Sequence, residues 1–214
     1  EISCSLVGSE MCIRDRADMY LWQGDYQRCI DYCDLIIDYK KGQYDELLQE
    51  YSSFVRNVEL YGDFPLISEA PNGSSYAGTS FSEIFGKGNS FESIFELIFV
   101  DKETRENLLT KDLFGAYNSS NVGQLAACPY LNAQVAEGSN SYFKRTDCRA
   151  FENMSGESTV SIRKYVVEGA EFRTNTTTGT APTVTEYRRT ANVANWIVYR
   201  LTDVMLMKAC LLYT

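Results

Sequence analysis

The chain has 214 residues, of which 44% are apolar and 23% are charged, and this is typical of a globular protein with one sizeable domain or two small ones. Its net charge of −9, without any block of Lys and Arg, argues against a nucleic-acid partner, because phosphate binding requires clustered basic side chains. The sequence contains no histidine, which excludes Ser-His-Asp and Cys-His catalysis and removes the commonest metal ligand.

The cysteine pattern gives no indication of a disulfide framework or a zinc ribbon. The seven cysteines are an odd number and lack CxxC spacing. Cys29 and Cys33 lie one turn apart on a predicted helix, where we interpret them as small buried side chains. No apolar run approaches the roughly 18 residues of a membrane span, and the first residues lack the pattern of a signal peptide. We therefore expect neither a metal nor a cofactor.

Residues 17–40, ADMYLWQGDYQRCIDYCDLIIDYK, predict a helical hairpin. Gly24 permits a tight turn at Gln23-Gly24-Asp25, and Asp25 can cap the second helix. That helix places its apolar side chains on one face and its acidic ones outward: Tyr26, Cys29, Ile30, Cys33, Ile36 and Ile37 against Asp31, Asp34 and Asp38. A small residue such as Cys29 where two helices approach closely is typical of a tetratricopeptide-like unit.

The next three segments differ in the secondary structure that they predict. Residues 44–59 predict another short helix. Residues 61–88 predict a loop or irregular structure, since they are rich in Gly, Pro, Ser and aromatics. Residues 91–100, FESIFELIFV, predict a strand covered on at least one face, because apolar side chains alternate along it.

The segment from residue 108 to residue 154 shows no sustained periodicity. Residues 161–167, SIRKYVV, predict a second strand. Residues 173–185 are rich in Thr and contain Gly179 and Pro182, which indicates an exposed connection.

Residues 195–209, NWIVYRLTDVMLMKA, predict a helix that is apolar on almost every side. Its main stripe runs through Ala194, Val198, Leu201, Met205 and Leu212. A helix of this kind is usually buried between neighbours, as in helical repeat proteins. The alternative is a core helix of any α-rich protein.

Three of these segments resemble, in the same order, parts of the SusD/RagB family: the hairpin at residues 17–37, GNSFESIFELIF at residues 88–99, and NWIVYRLTDVMLMKA. Asp147-Cys148-Arg149 and Ile162-Arg163-Lys164-Tyr165 resemble the Asp-x-Arg and basic-Tyr strand that precede that helix in the family. The resemblance implies a mainly α, partial SusD-like fold, with tetratricopeptide-like hairpins, irregular loops and a few short strands.

The two ends depart from the family. SLVGSEMCIRDR at residues 5–16 resembles a translated sequencing adapter, and CLLYT at residues 210–214 resembles the start of another. We expect artefactual tails at residues 1–16 and 210–214 around a partial SusD-like domain at residues 17–209. On this hypothesis Cys4, Cys12 and Cys210 have no function. Part of the packing partner of the last helix would then be missing, which predicts unusual exposure of this helix and of the hairpin.

The resemblance implies a non-catalytic, glycan-binding lipoprotein on the surface of the bacterial outer membrane. Its partners would be a polysaccharide or oligosaccharide and a SusC-like TonB-dependent transporter, and its lipidated cysteine would lie upstream of this chain. The alternative is a tetratricopeptide-like scaffold that binds a protein or peptide in a groove between helices. Glu92 and Glu96 share a strand face by simple alternation, so they do not predict a glycosidase.

Tyrosines next to amides are our candidates for the glycan contacts. Pyranose rings present flat CH faces that stack on aromatic rings, and their hydroxyls need polar groups at the rim. Three such pairs lie between the predicted strand and Asp147: Tyr117 with Asn118, Tyr130 with Asn132, and Tyr142 with Asn140. We interpret Trp22 and Trp196 as core residues, because the apolar faces of their predicted helices account for them.

Overall fold

A computed structural model describes residues 6–50, 58–68, 71–72, 75–76, 79–101, 106–114, 123–126, 128, 153–155, 161–173, 183–189 and 191–212. Within them more residues lie in helices than in strands, and the strand pairs are antiparallel. The prediction of a mainly α chain with a few short strands is confirmed at this level. The chain divides into two compact units: the first comprises Glu1–Ser68, Asn89–Leu97 and Trp196–Thr214, and the second comprises Glu69–Gly88 and Ile98–Asn195.

In chain order the elements are α1 (Leu6–Gln23), α2 (Tyr26–Glu50), β1 (Val58–Tyr61), β2 (Phe64–Ile67), β3 (Pro71–Asn72), β4 (Ser75–Tyr76), α3 (Thr79–Phe81), a π-helical turn (Ser82–Lys87), β5 (Ser93–Leu97), α4 (Leu108–Phe114), β6 (Met154–Ser155), β7 (Ser161–Ile162), β8 (Val167–Arg173), β9 (Thr183–Arg188), β10 (Trp196–Arg200) and α5 (Leu201–Leu212).

A helical hairpin forms the start of the first unit, as predicted. Gly24 adopts a φ of +76° between α1 and α2, a conformation that glycine reaches at little cost. The amide of Asp25 donates to the carbonyl of Tyr20 at 3.0 Å, and the Asp25 carboxylate accepts the amide of Arg28 at 3.3 Å. The predicted turn and the predicted helix cap are therefore both confirmed.

The core of the first unit lies between the hairpin, β5 and α5. Cys29, Cys33 and Ile36 of α2 are completely buried, at the i, i+4, i+7 spacing of one helix face. They pack in one cluster with Ile94 of β5 and Leu201 of α5. The interpretation of the two cysteines as small buried side chains is confirmed, and both thiols are free.

The helices of the hairpin are longer than predicted. α2 continues without a break to Glu50, where we expected a separate helix to begin at residue 44, and residues 58–61 form a strand. α1 begins at Leu6, so part of the segment expected to be an artefactual tail is helical. There Glu10 pairs with Lys40 at 3.2 Å and Arg14 pairs with Asp203 at 2.6 Å. That residues 1–16 are an artefactual tail stays a prediction.

The prediction of loop or irregular structure over residues 61–88 is wrong where the structure describes short strands and helical turns. In the first unit, β1 and β2 form a hairpin whose turn contains Gly62 at a φ of +65°. In the second unit, β3, β4, α3 and the π-helical turn fall within the same segment. The many turn-forming residues in this segment connect short elements, because Gly and Pro mark the ends of strands as well as loops.

The predicted strand at residues 91–100 is confirmed as β5, but the predicted helix at residues 195–209 is wrong in its first part. Trp196–Arg200 is a strand, β10, which pairs with β5, and α5 begins only at Leu201. The sequence WIVYR consists largely of aromatic and β-branched residues, which favour strands when a pairing edge is available.

We predicted unusually high exposure of the last helix and the hairpin, and the structure shows it at some positions only. Leu201 is completely buried, Met205 is half-buried and Val198 is 38% exposed. The prediction is therefore wrong at Leu201. Trp22, interpreted as a core residue, is 85% exposed, so that interpretation is wrong as well. Trp196 is half-buried, but in a strand.

The second unit contains a four-stranded antiparallel sheet in the order β3-β4-β8-β9 and a separate β6-β7 pair. The predicted strand at residues 161–167 is interrupted: a turn with Tyr165 at a φ of +68° separates β7 from β8. Most of the predicted connection at residues 173–185 lies outside the described residues. At Gly86, in the π-helical turn, an added Cβ would lie 1.9 Å from the carbonyl oxygen of Glu168 in β8.

Candidate functional site

The tyrosine and asparagine pairs predicted from the sequence lie outside the described residues: Tyr117, Asn118, Tyr130, Asn132, Asn140 and Tyr142. Their role in ligand binding stays a prediction. Among the described residues, a different place has the size and lining of a binding site.

A cleft of about 460 Å³ lies in the first unit, where the C-terminal half of α2 passes the segment that leads into β5. Small-molecule sites commonly measure roughly 300–1,000 Å³. The described residues that line the cleft are Lys40, Gln43, Glu46, Leu47, Gln49, Glu50, Ser90 and Phe91. The cleft is therefore large enough for a small organic ligand.

Lys40 of α2 contacts the opposite wall of the cleft. It is buried, and its Nζ donates to the carbonyl of Ser93 at 2.9 Å and pairs with the Glu10 carboxylate at 3.2 Å. The Nζ also lies 5.4 Å from the centre of the Phe91 ring. Burial raises the pKa of Glu10 above its ordinary value, while the neighbouring Lys40 opposes that rise.

One face of α2 supplies the polar groups of the opposite wall. Gln43 lies three and four residues before Glu46 and Leu47, and Glu50 lies four and three residues after them, so all four are on the same side of the helix. Glu46 and Glu50 are exposed, whereas Gln43 is half-buried and donates to the Tyr39 hydroxyl at 3.3 Å. This wall presents carboxylates and amides to the cleft.

The other wall presents an aromatic ring and a hydroxyl. Phe91 is half-buried, and its ring meets the ring of Tyr44 edge-on, with centres 6.4 Å apart. The Oγ of Ser90 is buried and has no hydrogen-bond partner among the described residues. A buried hydroxyl without a partner is costly.

Glu92 follows Phe91 in the sequence, but its carboxylate bonds to other residues of the first unit. Its carboxylate is buried and accepts the amide of Ile67 and the hydroxyl of Thr202, both at 3.0 Å, with Nε of Arg200 at 3.8 Å. These contacts join the residue just before β5 to β2, β10 and α5. Glu92 therefore has a structural role in the first unit.

The buried arginine of the second unit also has a structural role. Arg189 donates to the carbonyls of Phe85 and Gly86, both at 2.6 Å, and to that of Tyr165 at 3.1 Å. Burial lowers the pKa of this guanidinium, and Glu168 opposes that effect. These bonds hold the π-helical turn against the start of β8.

Sequence reasoning did not identify the cleft. The relevant signal is the run of Gln43, Glu46, Leu47 and Glu50 on one helix face, but it has no link in the sequence to Ser90 and Phe91, which complete the site. Within the described ranges, no group of three or more Cys, Asp or Glu side chains could hold a metal ion. Among the helices that the structure describes, none is long and apolar enough to cross a membrane. Comparison with known proteins finds no matching family model, no matching curated protein and no matching solved structure.

Proposed function

We propose that this chain is a non-catalytic, glycan-binding component of a TonB-dependent nutrient uptake system of the bacterial outer membrane. It would be anchored at the cell surface by a lipidated cysteine upstream of the chain and would work with a SusC-like transporter. The proposal rests on the SusD/RagB resemblance of three segments that lie far apart in the sequence. The observation that supports it best is that all three segments contribute to the first unit.

The contacts among these segments are specific. Ile36 of the hairpin, Ile94 of β5 and Leu201 of α5 belong to one buried cluster. β5 pairs with β10, and Lys208 of α5 forms an ion pair with Asp34 of α2. Segments that resemble one family in order and also pack together are what a shared fold requires.

The proposal includes a tetratricopeptide-like hairpin within a partial SusD-like fold. Gly24 makes the turn, and Cys29, with its small side chain, is completely buried in the cluster that contains Ala17 of α1. A small buried residue at this point permits close approach of the two helices, as tetratricopeptide-like units require.

The test is native electrophoresis of the 214-residue chain in gels containing soluble starch, xylan, galactomannan or a mixed-linkage β-glucan. We expect one of these polysaccharides to retard the chain. Tyr117→Ala, Tyr130→Ala and Tyr142→Ala should weaken the retardation, since loss of a stacking aromatic ring costs roughly 2- to 10-fold in affinity. Tyr26→Ala is the control, because Tyr26 is an exposed tyrosine of the hairpin. Unchanged mobility of the parent chain in every gel would refute glycan binding.

A scaffold that binds a protein or peptide is the second candidate, and one observation favours it. Met19, Trp22 and Tyr26 are 59%, 85% and 48% exposed near the turn of the hairpin. Exposed large apolar side chains are typical of protein interaction sites. This function predicts that Trp22→Ala abolishes binding of a partner protein while the three loop tyrosine variants bind it normally.

A further inference from the structure

We propose that the cleft beside α2 is a carbohydrate subsite that takes one ring of a neutral glycan, with Phe91 as its stacking surface. This inference rests on the proposed function. It adds a contact region on the helical first unit that is built from residues other than the predicted tyrosine pairs.

The charges at the cleft exclude acidic ligands. Lys40 already pairs with Glu10 and donates to the carbonyl of Ser93. Glu46 and Glu50 are exposed at the rim and leave an excess of negative charge there. A phosphate, sulfate or uronate would meet this negative charge without a free basic partner among the described lining residues.

A cationic ligand is disfavoured at the ring. The Nζ of Lys40 lies 5.4 Å from the centre of the Phe91 ring, at the distance of a cation–π contact. A second cation stacked on the same ring would be repelled by this ammonium group. The ring of Phe91 therefore favours contact with an uncharged part of a ligand.

The polar groups match hydroxyls in particular. A hydroxyl donates one hydrogen bond and accepts up to two, so it needs a site with both acceptors and donors. The carboxylates of Glu46 and Glu50 accept, the amide of Gln43 can donate and accept, and the buried Oγ of Ser90 has no partner among the described residues. Ser90 lines the cleft, and rotation of its side chain about χ1 would be needed for the buried Oγ to meet a ligand hydroxyl.

Phe91 supplies the surface for the apolar face of the sugar. Its ring is held by the edge of Tyr44 and by the neighbouring Lys40, so little side-chain entropy remains to be lost on binding. The CH face of a pyranose stacks on such a ring, and its hydroxyls then point toward the polar wall of α2. A volume of about 460 Å³ accommodates a sugar ring of a longer chain.

The test uses the polysaccharide gel that retards the parent chain most strongly. We expect Phe91→Leu, Glu46→Gln and Ser90→Ala each to raise the apparent Kd by roughly 3- to 10-fold, as loss of one stacking or hydrogen-bonding contact predicts. Asp45→Asn is the matched control for Glu46→Gln, since Asp45 is an exposed neighbour on α2 that does not line the cleft. Phe95→Leu is the control for Phe91→Leu, because Phe95 packs on Tyr199 instead. Far-UV circular dichroism and Tm identify any variant that fails to fold. The remaining variants then test whether the cleft binds the glycan.

The outcomes separate the two proposals. Selective weakening in the three cleft variants supports the subsite. If the cleft variants and their controls bind equally well while the loop tyrosine variants lose retardation, the cleft inference is overturned and glycan binding stands. Equal weakening in cleft variants and controls also overturns it. If no gel retards the parent chain, the subsite and the proposed function are both refuted.

Discussion

At the scale of the residue, Glu92 shows how one buried carboxylate holds several elements. Its oxygens accept the amide of Ile67 and the hydroxyl of Thr202, and its own carbonyl accepts the amide of Leu201 at 2.8 Å. Thr202 lies in the first turn of α5, where a negative charge also interacts favourably with the helix dipole. The start of α5 therefore depends on a residue more than a hundred positions away.

Replacing this carboxylate should destabilise the first unit strongly. Glu92→Ala leaves the Ile67 amide and the Thr202 hydroxyl without their acceptor, and each lost partner costs about 1–3 kcal/mol. We expect the free energy of unfolding in urea to fall by roughly 2–4 kcal/mol. The exposed Asp38→Ala on α2 is the control and should change it by less than about 0.5 kcal/mol. Similar values for the two variants would contradict the role assigned to Glu92.

The buried cysteines should resist alkylation. Burial raises the pKa of the Cys33 thiol to about 12, with the neighbouring Cys29 adding to the rise, and burial also raises the pKa of Cys29. Since only the thiolate reacts, iodoacetamide at pH 8 should modify the exposed Cys128 and leave both buried cysteines intact until urea is added. Peptide mass spectrometry measures this directly, and equal labelling of Cys33 and Cys128 in the native chain would contradict it.

The same shift makes the folded state less stable at alkaline pH. The native Cys33 retains its proton up to about pH 12, whereas the unfolded chain loses it near pH 9. Between these values the unfolded state binds fewer protons, so the free energy of unfolding falls as the pH rises.

At the scale of the element, glycine is favourable in the turn of the hairpin and unfavourable in the middle of α2. Gly24 needs a positive φ, whereas Gly42 lies inside a helix, and neither has a neighbouring atom within 4 Å of an added Cβ. Gly24→Ala should therefore lower the free energy of unfolding by about 1 kcal/mol, and Gly42→Ala should raise it by roughly 0.5–1 kcal/mol. Urea denaturation of both variants checks the pair, and a change of the same sign in both would be inconsistent with this backbone.

The accuracy of the sequence-based predictions varied from element to element. The hairpin was predictable, because its turn and its apolar face are local patterns. β10 was not, since WIVYR continues an apolar periodicity into α5, and only pairing with β5, about a hundred residues earlier, makes it a strand. The cleft was missed for the same reason: α2 and Phe91 meet through the tertiary fold.

At the scale of the whole molecule, the excess of acidic residues limits the partners. The chain carries 29 Asp and Glu against 20 Lys and Arg, without histidine. Nucleic acids and acidic polysaccharides would therefore be repelled on average, whereas neutral glycans would not.

This charge predicts that the chain does not bind DNA. A mobility-shift assay with duplex DNA at about 0.1 M salt should show no complex at protein concentrations of about 10 μM, because no counterion-releasing basic patch is present in the sequence. A chain with added polylysine tags is the positive control. A shifted band for the untagged chain would contradict the prediction.

The contact at Gly86 has a consequence for recognising relatives of this protein. An added Cβ would lie 1.9 Å from the carbonyl oxygen of Glu168, so every other amino acid would force the backbone of the π-helical turn or of β8 to move. Any protein that shares this part of the second unit must therefore keep a glycine here, however far the rest of its sequence has diverged. A glycine followed roughly eighty residues later by the strand it touches is a marker that alignment by overall similarity would overlook.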